Sequence, residues 1–125
     1  DVDNQKRRNV ADYYLKNLSH PTIQTPYLPT NQNAKTYLPH VWHLFVLKCT
    51  QRNQLQDYLT ANHIQTIVHY PIPPHHQKAY SDLSHLKFPI TEKLSSQVIS
   101  IPFSPGMKKE EMEEIVHVIN SFTTN

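Results

Sequence analysis

Glycine is almost missing from this 125-residue chain: Gly106 is the only one. A single glycine cannot build a glycine-rich phosphate cradle, so nucleotide binding through such a loop is excluded. Cysteine is equally scarce. Cys49 alone rules out an internal disulfide framework, and its place in an apolar run reads as an inert thiol in a reducing, cytoplasmic setting. No stretch approaches the roughly 20 apolar residues of a membrane span, and the chain opens on a charged, helix-like run rather than a leader. A bias toward one charge is also lacking. Twelve Lys and Arg face ten Asp and Glu for a net +2, and no basic run forms a patch, so neither nucleic acid nor a membrane surface is indicated as a partner.

What is abundant is proline, with ten residues, and histidine, with nine. Both crowd into "HYPIPPHHQKAY", residues 69–80. The length suits one domain with a modest core. Residues 1–18 read as a helix, with Val10, Tyr14 and Leu18 at four-residue spacing, Ala11 and Leu15 alongside, and Asp1 and Asp3 at the positive end of its dipole. Residues 19–39, punctuated by Pro21, Pro26, Pro29 and Pro39, read as an extended loop with room for short edge strands. "HVWHLFVLKC", 40–49, is the strongest strand. A helix over 50–63 follows, with Thr50 as N-cap and Leu55, Tyr58 and Leu59 facing inward. "IQTIVHYP" reads as a second strand closed by Pro71. A helix opening near Thr91 leads into the strand "VISIPF", and an amphipathic helix with a stripe of Met112, Ile115, Val116 and Ile119 ends the chain. The expected fold is a small α/β (α+β) sandwich: a short, mostly antiparallel sheet of three or four strands with helices packed on one face.

Three chemistries compete for the histidine-rich stretch. His69, His75 and His76 fall close enough to raise a metal site. However, no carboxylate stands at ligand spacing, and adjacent His75 and His76 are expected to point their rings apart. Polar histidines on a proline-stiffened loop are the plainer reading. A nucleophile has less support still, and the four glutamates at 110, 111, 113 and 114 read as a solvated face. The strand end "IVHYP" remains, where a rigid platform presents His69 and Tyr70, one toward the core and one outward.

The order of motifs resembles a known family. "NQKRRNVADYYLKNL", "VWHLFVLKCTQRNQLQDYLTANHIQTIVHYPIPPHHQKAY" and "FPITEKLSSQVISIPFSPGMKKEEMEEIV" together resemble the C-terminal part of the DegT/DnrJ/StrS sugar aminotransferases, over essentially the whole chain. Asn4 and Arg7 match the Asn-x-x-Arg helix that leads into the small domain. The resemblance implies the small domain of a fold type I enzyme that uses pyridoxal 5'-phosphate. Such enzymes move an amino group from glutamate to a keto sugar on a nucleoside diphosphate, in polysaccharide (including lipopolysaccharide) or deoxyaminosugar biosynthesis. The pattern is most similar to enzymes acting on 3-keto-6-deoxyhexoses. Residues 1–18 are then the connecting helix from a large N-terminal domain and 19–125 the small domain. The Schiff-base lysine, the aspartate facing the pyridine nitrogen and the phosphate site belong to that large domain, which this chain lacks. Neither Lys48 nor Lys78 takes the lysine's place, and the chain alone is expected to be inactive and to bind no cofactor or metal.

Carried over by position, His69 and Tyr70 are the sugar contacts, with His75 on the same loop. His43 matches a family histidine of structural type. The resemblance also implies a homodimeric parent, and an isolated small domain with an apolar patch exposed on its first helix or sheet. Asn62-His63 departs from the family, which has Gly at that helix end; Asn tolerates the left-handed conformation there. A stand-alone α/β binding or interaction module is the alternative from a different class.

Overall fold

The computed structural model describes residues 1–27 and 40–123. The part of the proposed 19–39 loop that carries Pro29 and Pro39 lies outside them. Helix α1 (Val2–Asn17) is followed by a two-residue strand β1 (Ile23–Gln24), then β2 (Phe45–Cys49), α2 (Arg52–Ala61), two 3-10 turns (Pro74–His76 and Lys78–Leu83), α3 (Pro89–Gln97), β3 (Val98–Ile101) and α4 (Lys109–Asn120). The sheet has the order β1-β2-β3 and is antiparallel throughout.

Register assigns the two faces. Phe45 stands opposite Ile101 and Leu47 opposite Ile99, while Val46 faces Ser100 and Lys48 faces Val98. Side chains alternate along a strand, so Phe45, Leu47, Ile99 and Ile101 share the core face and Ser100 turns to the other. Onto the core face α1 brings Val10, Ala11 and Tyr14, α2 brings Leu55 and Leu59, and α4 brings Ile115, Val116 and Ile119, all buried in one cluster. Two asparagine bonds pin α1 to α4: Asn120 Oδ1 accepts the Ser19 N–H at 2.9 Å, and Asn120 Nδ2 donates to the Asn17 carbonyl at 2.9 Å. Tyr14 is fully buried and donates its hydroxyl to the Pro102 carbonyl at 2.9 Å. Burial, and then the Glu111 carboxylate, push that phenol well above its ordinary value, so it stays a donor at any working pH. Tyr14→Phe leaves the carbonyl short of its partner and should lower stability by about 1–2 kcal/mol, read from urea midpoints at constant slope.

Several boundaries differ from the sequence reading, each for a local reason. β2 begins at Phe45, not at residue 40, because Trp42 takes a left-handed φ of 54° that no strand accommodates. The surroundings hold that strained conformation in place. Trp42 is buried and stacks on Phe45 at 5.4 Å, its N–H bonds His40 Nδ1 at 2.9 Å, and its carbonyl accepts Arg7 Nη1 at 3.3 Å. The expected strand over 64–71 shrinks to one bridge, Ile67 to Ser100, since Pro71, Pro73 and Pro74 bring no N–H to a ladder. Ile67 and β2 both run antiparallel to β3, so the chain leaves β2, crosses through α2 and returns parallel to β2 with β3 between them. Thr50 does not cap α2; Gln51 occupies that place without a side-chain bond. Thr91 lies inside α3, whose first residue is Pro89. At the end of α2 the left-handed residue is His63 (φ 61°), not Asn62 (φ −95°). Histidine is, like asparagine, among the non-glycine residues that enter that region most readily.

Among the described residues, most of the exposed apolar side chains lie off the first helix and the sheet. On α1 only Val2 is exposed among the large apolar side chains, whereas Ile67, Tyr70, Ile72, Tyr80 and Phe88 crowd the segment between α2 and α3, with Ile90 in the first turn of α3. Among the described residues no helix is long and apolar enough to cross a membrane.

Candidate functional site

The segment that carries the candidate residues is held to the sheet at its start. Ile67 exchanges both backbone hydrogen bonds with Ser100, at 3.1 and 2.8 Å. Two residues later His69 reaches the same serine through its ring, with Nδ1 and Ser100 Oγ 2.9 Å apart. Backbone and side chain are thus anchored to one buried residue of β3, on the face away from the core. Tyr70 follows through a cis peptide and points outward, 70% exposed. The two rings meet edge-to-face with centroids 5.5 Å apart. His69 and Ser100 line a cleft of about 840 Å³ with Leu44, Thr66, Ile67 and Phe103. Tyr70 stands outside that lining, beside it. The site therefore offers one half-buried imidazole inside a mixed polar and apolar cleft and one free phenol next to it. Both suit hydrogen bonds to a polyhydroxylated ligand.

His75 lies elsewhere and plays a different part. It is buried, and its Nε2–H donates to Glu92 Oε1 at 3.1 Å. That oxygen also accepts the Phe88 N–H at 2.8 Å, closing the first turn of α3, and the His75 ring packs edge-on against Phe88 at 4.9 Å. Contrary to the sequence expectation, the His75 and His76 rings do not diverge: their centroids are 4.1 Å apart. A carboxylate does stand nearby as well, for one ligand atom from each of His75, His76 and Glu92 lies within 4.8 Å of the others. Hydrogen bonding accounts for this group. The carboxylate caps α3 and ties the proline-rich turn to it, while His69 belongs to the separate Ser100 pair.

The Phe88 N–H, and after it His75, hold the Glu92 carboxyl below its ordinary value of 4.5. A depressed carboxylate contributes stability above its unfolded pKa and loses it as pH falls through the folded one. The melting-temperature gap between the protein and Glu92→Gln should therefore be widest near neutral pH. It should close as the solution is acidified below the ordinary carboxylate value, as followed by circular dichroism.

His43 is exposed, and no hydrogen bond to it is found among the described residues. Of the motif pair Asn4 and Arg7, only Arg7 reaches across the fold, to Trp42. Lysines in the described residues are all exposed or half-exposed, including Lys48 and Lys78. A lysine that holds a cofactor as a Schiff base needs a desolvated or cationic pocket to lower its pKa, so these residues do not fit covalent attachment of pyridoxal phosphate. Ser100 escaped sequence reasoning entirely. Its only signal was its central place in "VISIPF", an isolated hydroxyl in an apolar strand.

A three-stranded antiparallel sheet carrying α1, α2 and α4 on its core face, with a proline-braced loop beside it, makes this a small α/β domain. The chain belongs to the DegT/DnrJ/EryC1/StrS aminotransferase family, which it matches over residues 1–120. It is 48% identical, over 98% of its length, to the dTDP-3-amino-3,6-dideoxy-alpha-D-galactopyranose transaminase of Aneurinibacillus thermoaerophilus, of which it covers 32%. EryC1 of Saccharopolyspora erythraea, an erythromycin biosynthesis sensory transduction protein, is 33% identical over 94% of this chain and 31% of its own. Among solved structures, S. venezuelae DesV in complex with a ketimine intermediate aligns with a TM-score of 0.79 at 28% identity, over 94% of this chain and 31% of that one. NtdA of Bacillus subtilis with bound cofactor PMP aligns at 0.78 and 30% identity, over 94% of this chain and 28% of that one. The chain spans about a third of the length of the relatives it matches.

Proposed function

We propose that this chain is the small C-terminal domain of a pyridoxal-phosphate aminotransferase that moves an amino group from glutamate to a keto sugar carried on a nucleoside diphosphate. A 3-keto-6-deoxyhexose on dTDP is the favoured substrate, by kinship with the 48%-identical transaminase. The product would serve surface polysaccharide or deoxyaminosugar synthesis in the cytoplasm, and the working enzyme would be a homodimer. The single observation that carries the reading is the His69–Tyr70 pair, anchored to β3 at the mouth of the cleft within a chain of this family.

The cofactor supplies the electron sink of the reaction. In this reading the rest of the protein holds it, since none of the described lysines here is desolvated. The small domain contributes binding and orientation. His69 and Tyr70 hydrogen-bond the hexose, and His75, bolted to Glu92, keeps the proline-rich turn in place beside them. Residues 1–18 lead in from the large domain and pack Val10, Ala11 and Tyr14 into the core of the small one.

The reading is tested by borohydride trapping of the full-length protein with pyridoxal phosphate, followed by peptide mapping. The label is expected on one lysine outside residues 1–125. Label on any lysine within them overturns the assignment of this chain as the small domain.

A further inference from the structure

Ser100 is buried, 5% exposed, and both its backbone groups are taken by Ile67. Its hydroxyl has a single partner among the described residues, His69 Nδ1 at 2.9 Å. A hydroxyl carries one proton and two lone pairs, and a buried proton without an acceptor costs more than an unused lone pair. Donation to Nδ1 is the arrangement that gives this proton an acceptor among the described residues. An imidazole that accepts at Nδ1 carries its own hydrogen on Nε2 when neutral, and among the described residues nothing bonds Nε2.

We propose that Ser100 is a positioning residue that locks His69 in the Nε2–H tautomer, so that its ring meets the ligand in the cleft as a hydrogen-bond donor. The partner it selects is an acceptor oxygen, a hydroxyl or carbonyl of the hexose; this half of the inference rests on the proposed function. The geometry is unusually constrained for a loop residue. The Ile67–Ser100 bridge fixes the backbone two residues before His69, and the Ser100 hydroxyl fixes the ring, so one residue of the rigid sheet sets both the place and the polarity of the contact. Ser100→Ala would keep the bridge and lose the hydroxyl that orients and polarises the ring.

Two measurements on the full-length protein separate this inference from the reading beneath it. Long-range proton–nitrogen correlation spectra of ¹⁵N-histidine-labelled protein at neutral pH, with the His69 signal assigned by its loss in His69→Gln, report the tautomer directly. His69 is expected as Nε2–H in the wild type and in Ser100→Thr, and as a tautomer mixture in Ser100→Ala. An Nδ1–H ring in the wild type, or a ring unchanged by Ser100→Ala, overturns the proposal. Steady-state kinetics with a dTDP-linked 3-keto-6-deoxyhexose should show the KM of Ser100→Ala raised about fivefold, kcat within about twofold, and Ser100→Thr near wild type. A KM change without a tautomer change also overturns the proposal. If the spectra behave as expected while neither His69→Gln nor Ser100→Ala alters KM, the tautomer lock stands and the assignment of His69 to the sugar falls.

Discussion

Phe45→Ala should cost about 3–5 kcal/mol of stability, enough to leave a domain of this size partly unfolded at room temperature. Phe45 is fully buried and joins three parts of the molecule. Its ring lies 5.1 Å from Tyr14 on α1, 5.4 Å from Trp42 before β2 and 6.1 Å from Phe103 beyond β3. Truncation opens a cavity among aromatic rings that rigid sheet backbone on one side prevents from collapsing. It also removes the stacking that holds Trp42 in its left-handed conformation, so the strain there is released by local unfolding rather than tolerated. Phe45 pairs with Ile101, one residue from Ser100, and loosening this corner should loosen His69 as well. Urea denaturation followed by tryptophan fluorescence measures the loss, because Trp42 is the only tryptophan and stacks on the deleted ring.

The second large effect concerns ligand rather than fold. His69→Ala in the full-length enzyme should raise the KM for the nucleotide-linked keto sugar by about tenfold or more, the loss of one well-placed hydrogen bond and its packing. Tyr70→Phe removes an exposed hydroxyl beside the cleft and should weaken the same substrate by a few-fold. Neither change should alter the KM for glutamate, because in this reading the pair contacts only the hexose. Stability should hardly move with Tyr70→Phe, whose ring is 70% exposed, so an altered KM there cannot be assigned to unfolding.

The core was legible because hydrophobic periodicity fixes it without knowledge of neighbours. Val10, Ala11 and Tyr14, Leu55 and Leu59, and Ile115, Val116 and Ile119 all lie inward as their spacing requires. Boundaries were less legible where tertiary contacts override local preference. "HVWH" has strand composition, yet Trp42 takes a left-handed turn because Arg7, His40 and Phe45 close around it, and no local pattern encodes that enclosure. The strand ending at Tyr70 was overread for the converse reason: its residues favour extended backbone, but the prolines after it leave only Ile67 to pair.

At the candidate site, the motif "HYP" nominates His69 and Tyr70, while the groups that hold the loop in place stayed hidden. Ser100 is 31 residues from His69 and Glu92 is 17 from His75, separations at which sequence carries no pairing signal without related sequences to compare. The crowding of histidines suggested one cluster; the fold divides them between a cleft and a helix cap.

One assay tests the proposed activity most directly. The full-length protein, supplied with pyridoxal phosphate, glutamate and a dTDP-linked 3-keto-6-deoxyhexose, should convert the sugar to its 3-amino derivative and glutamate to 2-oxoglutarate in equal amounts, with mass spectrometry reading both products. Failure to aminate any nucleotide-linked keto sugar, in protein that binds the cofactor and is folded, would contradict the account.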